Sequence, residues 1–124
     1  MTRLQNKRNI EGDDTMQIKS TNIDQTVVLE ITGRMDVLAA MEYEKAIMEC
    51  LQHGDRQFVV NLAGLDYISS AGLRSLLTTA KKVKESQGTV NFCNIKGVVK
   101  EVFAMSGFDS ILPIFKTVKD ALPS

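Results

Sequence analysis

The chain is poor in the residues that metal and redox chemistry need: its 124 residues include two cysteines and one histidine. Cys50 and Cys93 lie far apart and in no CxxC arrangement, so a cysteine-based zinc site is not expected. A disulfide framework is not expected either, because the cysteines are too few and the opening MTRLQNKRNIEGDDT has no apolar stretch like the core of a secretory signal. Both thiols are therefore expected to be reduced and in the core of a cytoplasmic protein. Long hydrophobic runs are missing too, and no window approaches the ~20 consecutive apolar residues of a membrane span. Nor is there an excess of one charge. Lys plus Arg number 15, Asp plus Glu number 15, and the formal net charge is zero. That balance argues against a whole-protein electrostatic grip on nucleic acid or on an anionic membrane. The eight glycines are too scattered for a phosphate-binding loop of the GxxxxGK[ST] or GxGxxG kind.

What is present is an ordinary globular composition, 44% apolar and 24% charged, which excludes wholesale disorder. A chain this short suits one domain that buries roughly two-thirds of its unfolded surface. Residues 1–14 are polar and without periodicity, so they read as a flexible tail ahead of a folded domain over 15–124. Met16 and Ile18, then Val27, Leu29 and Ile31, alternate with polar neighbours and predict two strands, with Asn22 to Gln25 as the turn of a hairpin. Gly33 is expected to end the second strand, and Asp36 to cap a helix running to about Gln52. Val37, Ala40, Met41, Ile47, Met48 and Leu51 mark the buried stripe of that helix, with Glu42, Glu44, Lys45 and Glu49 on the wet side.

Gln57 to Leu62 (QFVVNL) reads as a central strand, covered on both faces. A second long helix follows from about Ala71 to Glu85, then a strand at Thr89 to Cys93. Val98 to Ser106 is a short helix with Val98, Val102 and Met105 on one side and Gly107 as its C-cap. Ile111 to Phe115 suits an edge strand, since Pro113 cannot donate to a ladder, and Asp120 to Ser124, with the turn before it, a terminal helix. Strands alternating with helices imply parallel pairing through crossovers. The fold class is α/β: one mixed sheet of about five strands with about four flanking helices.

As a catalyst the sequence looks empty. Ser-x-Gly at Ser70 and Gly72 lacks the glycine two places before the serine that a nucleophile elbow needs, because Ile68 stands there. His53, the single histidine, precedes that serine, so a Ser/His hydrolase is close to excluded. Lys81, Lys82 and Lys84 have no interleaved aromatics and read as a solvated helix end. Ser69 and Ser70 stand where a strand hands over to a helix, so one hydroxyl should sit at or near the N-cap. An ordinary cap worth about 1 kcal/mol accounts for these residues by chemistry alone. The same geometry exposes a hydroxyl beside outward-pointing amides, where a phosphate adds close to two negative charges that the fold tolerates.

Here the sequence resembles a known family. Asn61-Leu62-Ala63-Gly64-Leu65-Asp66-Tyr67-Ile68-Ser69-Ser70-Ala71-Gly72-Leu73 is similar to the signature of the STAS domain of bacterial anti-sigma factor antagonists. Gly33-Arg34-Met35-Asp36 resembles the family's G-x-x-D element, and Gly107-Phe108 its later G-[FL] element. The likeness runs from about Thr15 to Leu122. It implies a regulatory binding protein, not an enzyme, with no cofactor, no metal, no nucleic acid and no membrane insertion. Its partners would be an anti-sigma factor that is also a serine kinase of the histidine-kinase-like ATPase fold, and a PP2C-type phosphatase. The unphosphorylated form would bind the kinase and free a sigma factor.

Anchored on Gly72-Leu73, the phosphorylated serine falls at Ser70. Many relatives carry Asp at the preceding place, where Ser69 stands here as a second choice of acceptor. The partner-binding set implied by the resemblance is Asp36, Ser69, Ser70, Ala71, Gly72, Leu73 and Arg74. A monomer or weak dimer is expected. The competing expectation is a scaffold without a switch, or a small subunit of a signalling or lipid-transport assembly.

Overall fold

Alternation of apolar and polar side chains over 16–31 builds the first long hairpin of the sheet. The computed structural model describes residues 8–13, by their backbone, and 16–123. Strands β2 (Met16–Ile23) and β3 (Thr26–Met35) pair antiparallel, with Ile18 opposite Ile31 and Ser20 opposite Leu29. Asp24 and Gln25 both take positive φ, 48° and 69°, giving a two-residue turn whose twist matches its strands. From β3 the chain proceeds by parallel crossovers: α1 (Val37–Gln52), β4 (Gln57–Ile68), α2 (Ser70–Glu85), β5 (Thr89–Cys93), α3 (Gly97–Ser106), β6 (Ile114–Phe115).

The strands lie in the sheet in chain order, so every crossover steps one place in the same direction. Right-handed crossovers of that kind put their helices on one face. Accordingly Tyr43, Ile47, Leu76, Val83, Val99 and Phe103 share a core with Leu29, Phe58, Val60 and Phe92. The opposite face carries a smaller cluster of Val28, Val59, Cys93 and Ala121 under the last helix, α4 (Val118–Ala121). Asn91 Nδ2 donates to the Ala121 carbonyl at 2.8 Å and fastens that helix to the sheet.

The mixed α/β sheet matches expectation, and several details correct it. A sixth strand, β1 (Arg8–Asp13), pairs antiparallel with β2 inside the stretch read as a flexible tail. Edge pairing runs through backbone groups and needs no side-chain periodicity, so the pattern gave no sign of it. The rest of that tail, residues 1–7 and 14, lies outside the described residues. Gly33 does not end its strand. With φ +98° it sits at an irregularity between Gly33 and Arg34, beyond which β3 continues to Met35. Strand β4 likewise extends to Ile68, and β6 shrinks to two residues, because the Ile111 and Leu112 amides turn back to the Phe108 carbonyl instead of joining the sheet. Helix α4 starts as expected in the turn before Asp120, where the Thr117 hydroxyl accepts from the Asp120 amide at 3.1 Å, but it ends at Ala121.

Two helix faces are also rotated from expectation. In α1 the buried residues are Ala39, Ala40, Tyr43, Ala46, Ile47 and Cys50, whereas Val37 and Met41 are 59% and 62% exposed. Small alanines let the helix lie close on the sheet, and Tyr43 is fully buried in the same core. In α3 the aromatic Phe103 with Val99 one turn before it faces the core, which turns Val98 and Met105 outward.

Candidate functional site

Register places the site. Met35 and Ile68, the last residues of β3 and β4, are paired neighbours, so the chain leaves both strands side by side. The Ser69 amide donates to the Met35 carbonyl at 2.9 Å and locks the two exits together. The residue after each exit is a helix cap. Asp36 Oδ1 accepts from the Ala39 amide at 2.9 Å, and Ser69 Oγ accepts from the Gly72 amide at 3.0 Å. Helices α1 and α2 therefore begin next to one another, with their positive ends at one surface. Neither has an acidic residue in its first turn.

Ser70 is the first helical residue of α2 and is exposed. Its hydroxyl has no hydrogen-bond partner among the described residues, whereas that of half-buried Ser69 is taken up by the cap. Arg74 lies one turn further along α2 and is also exposed. Gly72 and Leu73 face inward. A Cβ on Gly72 would stand 2.9 Å from Ile68 Cγ1 and 3.0 Å from both the Met35 Cγ and carbonyl oxygen. Glycine is thus what lets α2 start tight against the strand ends. Of the seven positions singled out in the sequence, Asp36, Ser69, Ser70, Ala71 and Arg74 come to one surface, and Gly72 and Leu73 pack beneath it. Beside them, the Arg34 guanidinium sits 4.2 Å over the Tyr67 ring.

From this surface an open groove of about 280 Å³ runs down between α1 and α2. Val37, Met41 and Glu44 line one wall, and Ala71, Arg74 and Ser75 the other. The Ser75 hydroxyl donates to Glu44 Oε2 at 2.5 Å across the groove. Deeper between the helices, the Tyr43 and Thr79 hydroxyls bond at 3.0 Å, and burial holds the Tyr43 hydroxyl well above the ordinary phenol range. Sequence reasoning placed Val37 and Met41 in the core and so missed this wall. The available signal was an excess: apolar residues at 37, 38, 40, 41 and 43 span more of α1 than one buried stripe requires.

The surface presents an exposed hydroxyl, two helix starts and exposed apolar side chains. No group of three or more His, Cys, Asp and Glu suited to a metal occurs among the described residues. His53 closes the far end of α1, its Nδ1 2.8 Å from the Glu49 carbonyl, and takes no part in the Ser70 surface. No helix among the described residues is long and apolar enough to cross a membrane.

Comparison with known proteins agrees with the fold. Residues 17–121 match the STAS domain family. Over 99 residues the chain is 37% identical to BtrV of Bordetella bronchiseptica, which bears the name of an anti-sigma factor antagonist, covering 80% of this chain and 85% of that one. The crystal structure of an anti-sigma factor antagonist from Mycobacterium paratuberculosis superposes with a TM-score of 0.77 at 22% identity, over 87% of this chain and 92% of that one. The Bacillus cell fate determinant SpoIIAA in its phosphorylated form gives 0.66 at 18% identity, over 83% and 93% of the two chains. These last two likenesses are of fold.

Proposed function

This chain belongs to the STAS domain family, among its anti-sigma factor antagonists, and from that premise we propose that it is a partner switch controlled by phosphate on Ser70. Unphosphorylated, it binds an anti-sigma factor that is also a serine kinase of the histidine-kinase-like ATPase fold, and a sigma factor is released. Phosphorylation of Ser70 ends the association, and a PP2C-type phosphatase restores it. The protein itself acts by binding in the cytoplasm, as a monomer or weak dimer, and catalyses nothing.

One observation carries the choice of residue: the Ser70 hydroxyl is exposed and unbonded, while the Ser69 hydroxyl is engaged by the Gly72 amide. A nucleophile that caps a helix must break its bond to react; one that projects from the first turn need not. The direction of the switch follows from charge. A kinase must dock with the acceptor oxygen beside its nucleotide phosphates, so a phosphate already there meets like charge. Taking that dianion out of water unpaired costs several kcal/mol. Each ~1.4 kcal/mol is tenfold in affinity, enough to abolish a micromolar complex.

The test titrates each histidine-kinase-like ATPase of the source genome, purified singly with ADP, against three forms of this protein. Ser70→Ala should bind like wild type and take up no phosphate from ATP, and Ser70→Asp should lose binding at least tenfold. Equal binding by the Asp form and the wild type would overturn the switch. Mass spectrometry finding phosphate on Ser69 alone would overturn the assignment to Ser70.

A further inference from the structure

We propose that the groove between α1 and α2 selects the partner, by taking an apolar side chain against Val37 and Met41 and a basic one against the Glu44 carboxylate. The proposal rests on the partner-switch reading and adds to it: phosphate on Ser70 decides whether docking occurs, and Glu44 decides which kinase docks. Three observations point to such an occupant. The groove is continuous with the Ser70 surface, since Ala71 and Arg74 line it and follow Ser70 within a single turn of α2. Its α1 wall is apolar and wet, with Val37 59% and Met41 62% exposed. Exposed large apolar side chains clustered at one helix start mark an interaction surface more than chance scatter does.

The third observation concerns charge. Glu44 accepts the Ser75 hydroxyl and pairs with no cation among the described residues. Arg74 on the facing wall forms no ion pair with it. The carboxylate is thus held in one orientation by a neutral donor, with its charge left for a guest. Pre-orientation lowers the entropy lost on binding. A basic guest gains a charge-assisted bond there, whereas an acidic one meets repulsion, and that difference discriminates between partners. Because the whole chain has no net charge, long-range steering contributes little and local charge must make the selection. Glu44 faces Ser75, more than one turn (~5.4 Å) along α2 from Ser70, so its guest is distinct from whatever contacts the phosphate.

The experiment uses the kinase that binds wild type in the titration above. Glu44→Gln keeps an acceptor for Ser75 and removes only the charge. It should weaken binding about tenfold and flatten its salt dependence between 50 and 300 mM (roughly the range over which screening acts). Met41→Ala, at an exposed position, should also weaken binding. Ile23→Ala, at the hairpin turn on the opposite end of the sheet, should leave binding unchanged. Unchanged affinity and salt dependence in Glu44→Gln, with Ser70→Asp still defective, would sink the groove proposal and leave the switch standing. If no kinase binds wild type, both fall together. If sedimentation shows a dimer that Glu44→Gln dissolves, the occupant is a second copy of this chain and the proposal is wrong.

Discussion

A hydroxyl at the start of a helix is free only if another group meets the needs of the first turn. Ser69 meets them, and Ser70 is consequently available. Gly72 is the companion constraint, because a side chain there would collide with Ile68 and with the Met35 backbone. Gly72→Ala should lose about 1–3 kcal/mol, the usual cost of overpacking, read as a lower urea midpoint. An unchanged midpoint would mean that α2 can shift outward at no cost. The motif was legible in the sequence at this scale, and so was the suspicion that one of two serines caps. Which one does so depends on where the strand ends, and Ile68 pairing with Met35 sets that in three dimensions. Glu44 was legible as a polar residue, but its meeting with Ser75, 31 positions away, was not.

Among the elements, those with strong patterns were read well. The β2–β3 hairpin, the Asp36 cap, β5 and the left-handed Gly107 at φ +81° closing α3 all follow from local chemistry. Those that rest on context were not. Strand β1 pairs without a side-chain pattern, and the outward faces of α1 and α3 depend on which large side chain the sheet accommodates. The division of labour between the serines is testable by stability. Ser69→Ala should cost about 1 kcal/mol, the loss of an N-cap, whereas Ser70→Ala should stay within ±0.5 kcal/mol as a bond-free surface substitution. Equal losses in thermal melts of the two variants would contradict the assignment of the cap.

The whole molecule keeps two apolar clusters on the two faces of one sheet, and the smaller contains Cys93. Burial raises that thiol from 9.0 to about 11. A raised folded value means that the native state holds the proton more tightly than the unfolded chain. The stabilisation is therefore complete below pH 9 and fades as the pH climbs through 11. Urea unfolding of wild type should weaken across that window more steeply than that of Cys93→Ala; parallel slopes would contradict the burial. The paired strand exits have a consequence for inheritance as well. Since Ser70 contributes no bond to the interior, the message written on it and the scaffold that displays it are free to evolve separately. Mutations can retune the strength or pace of the signal without first solving a folding problem.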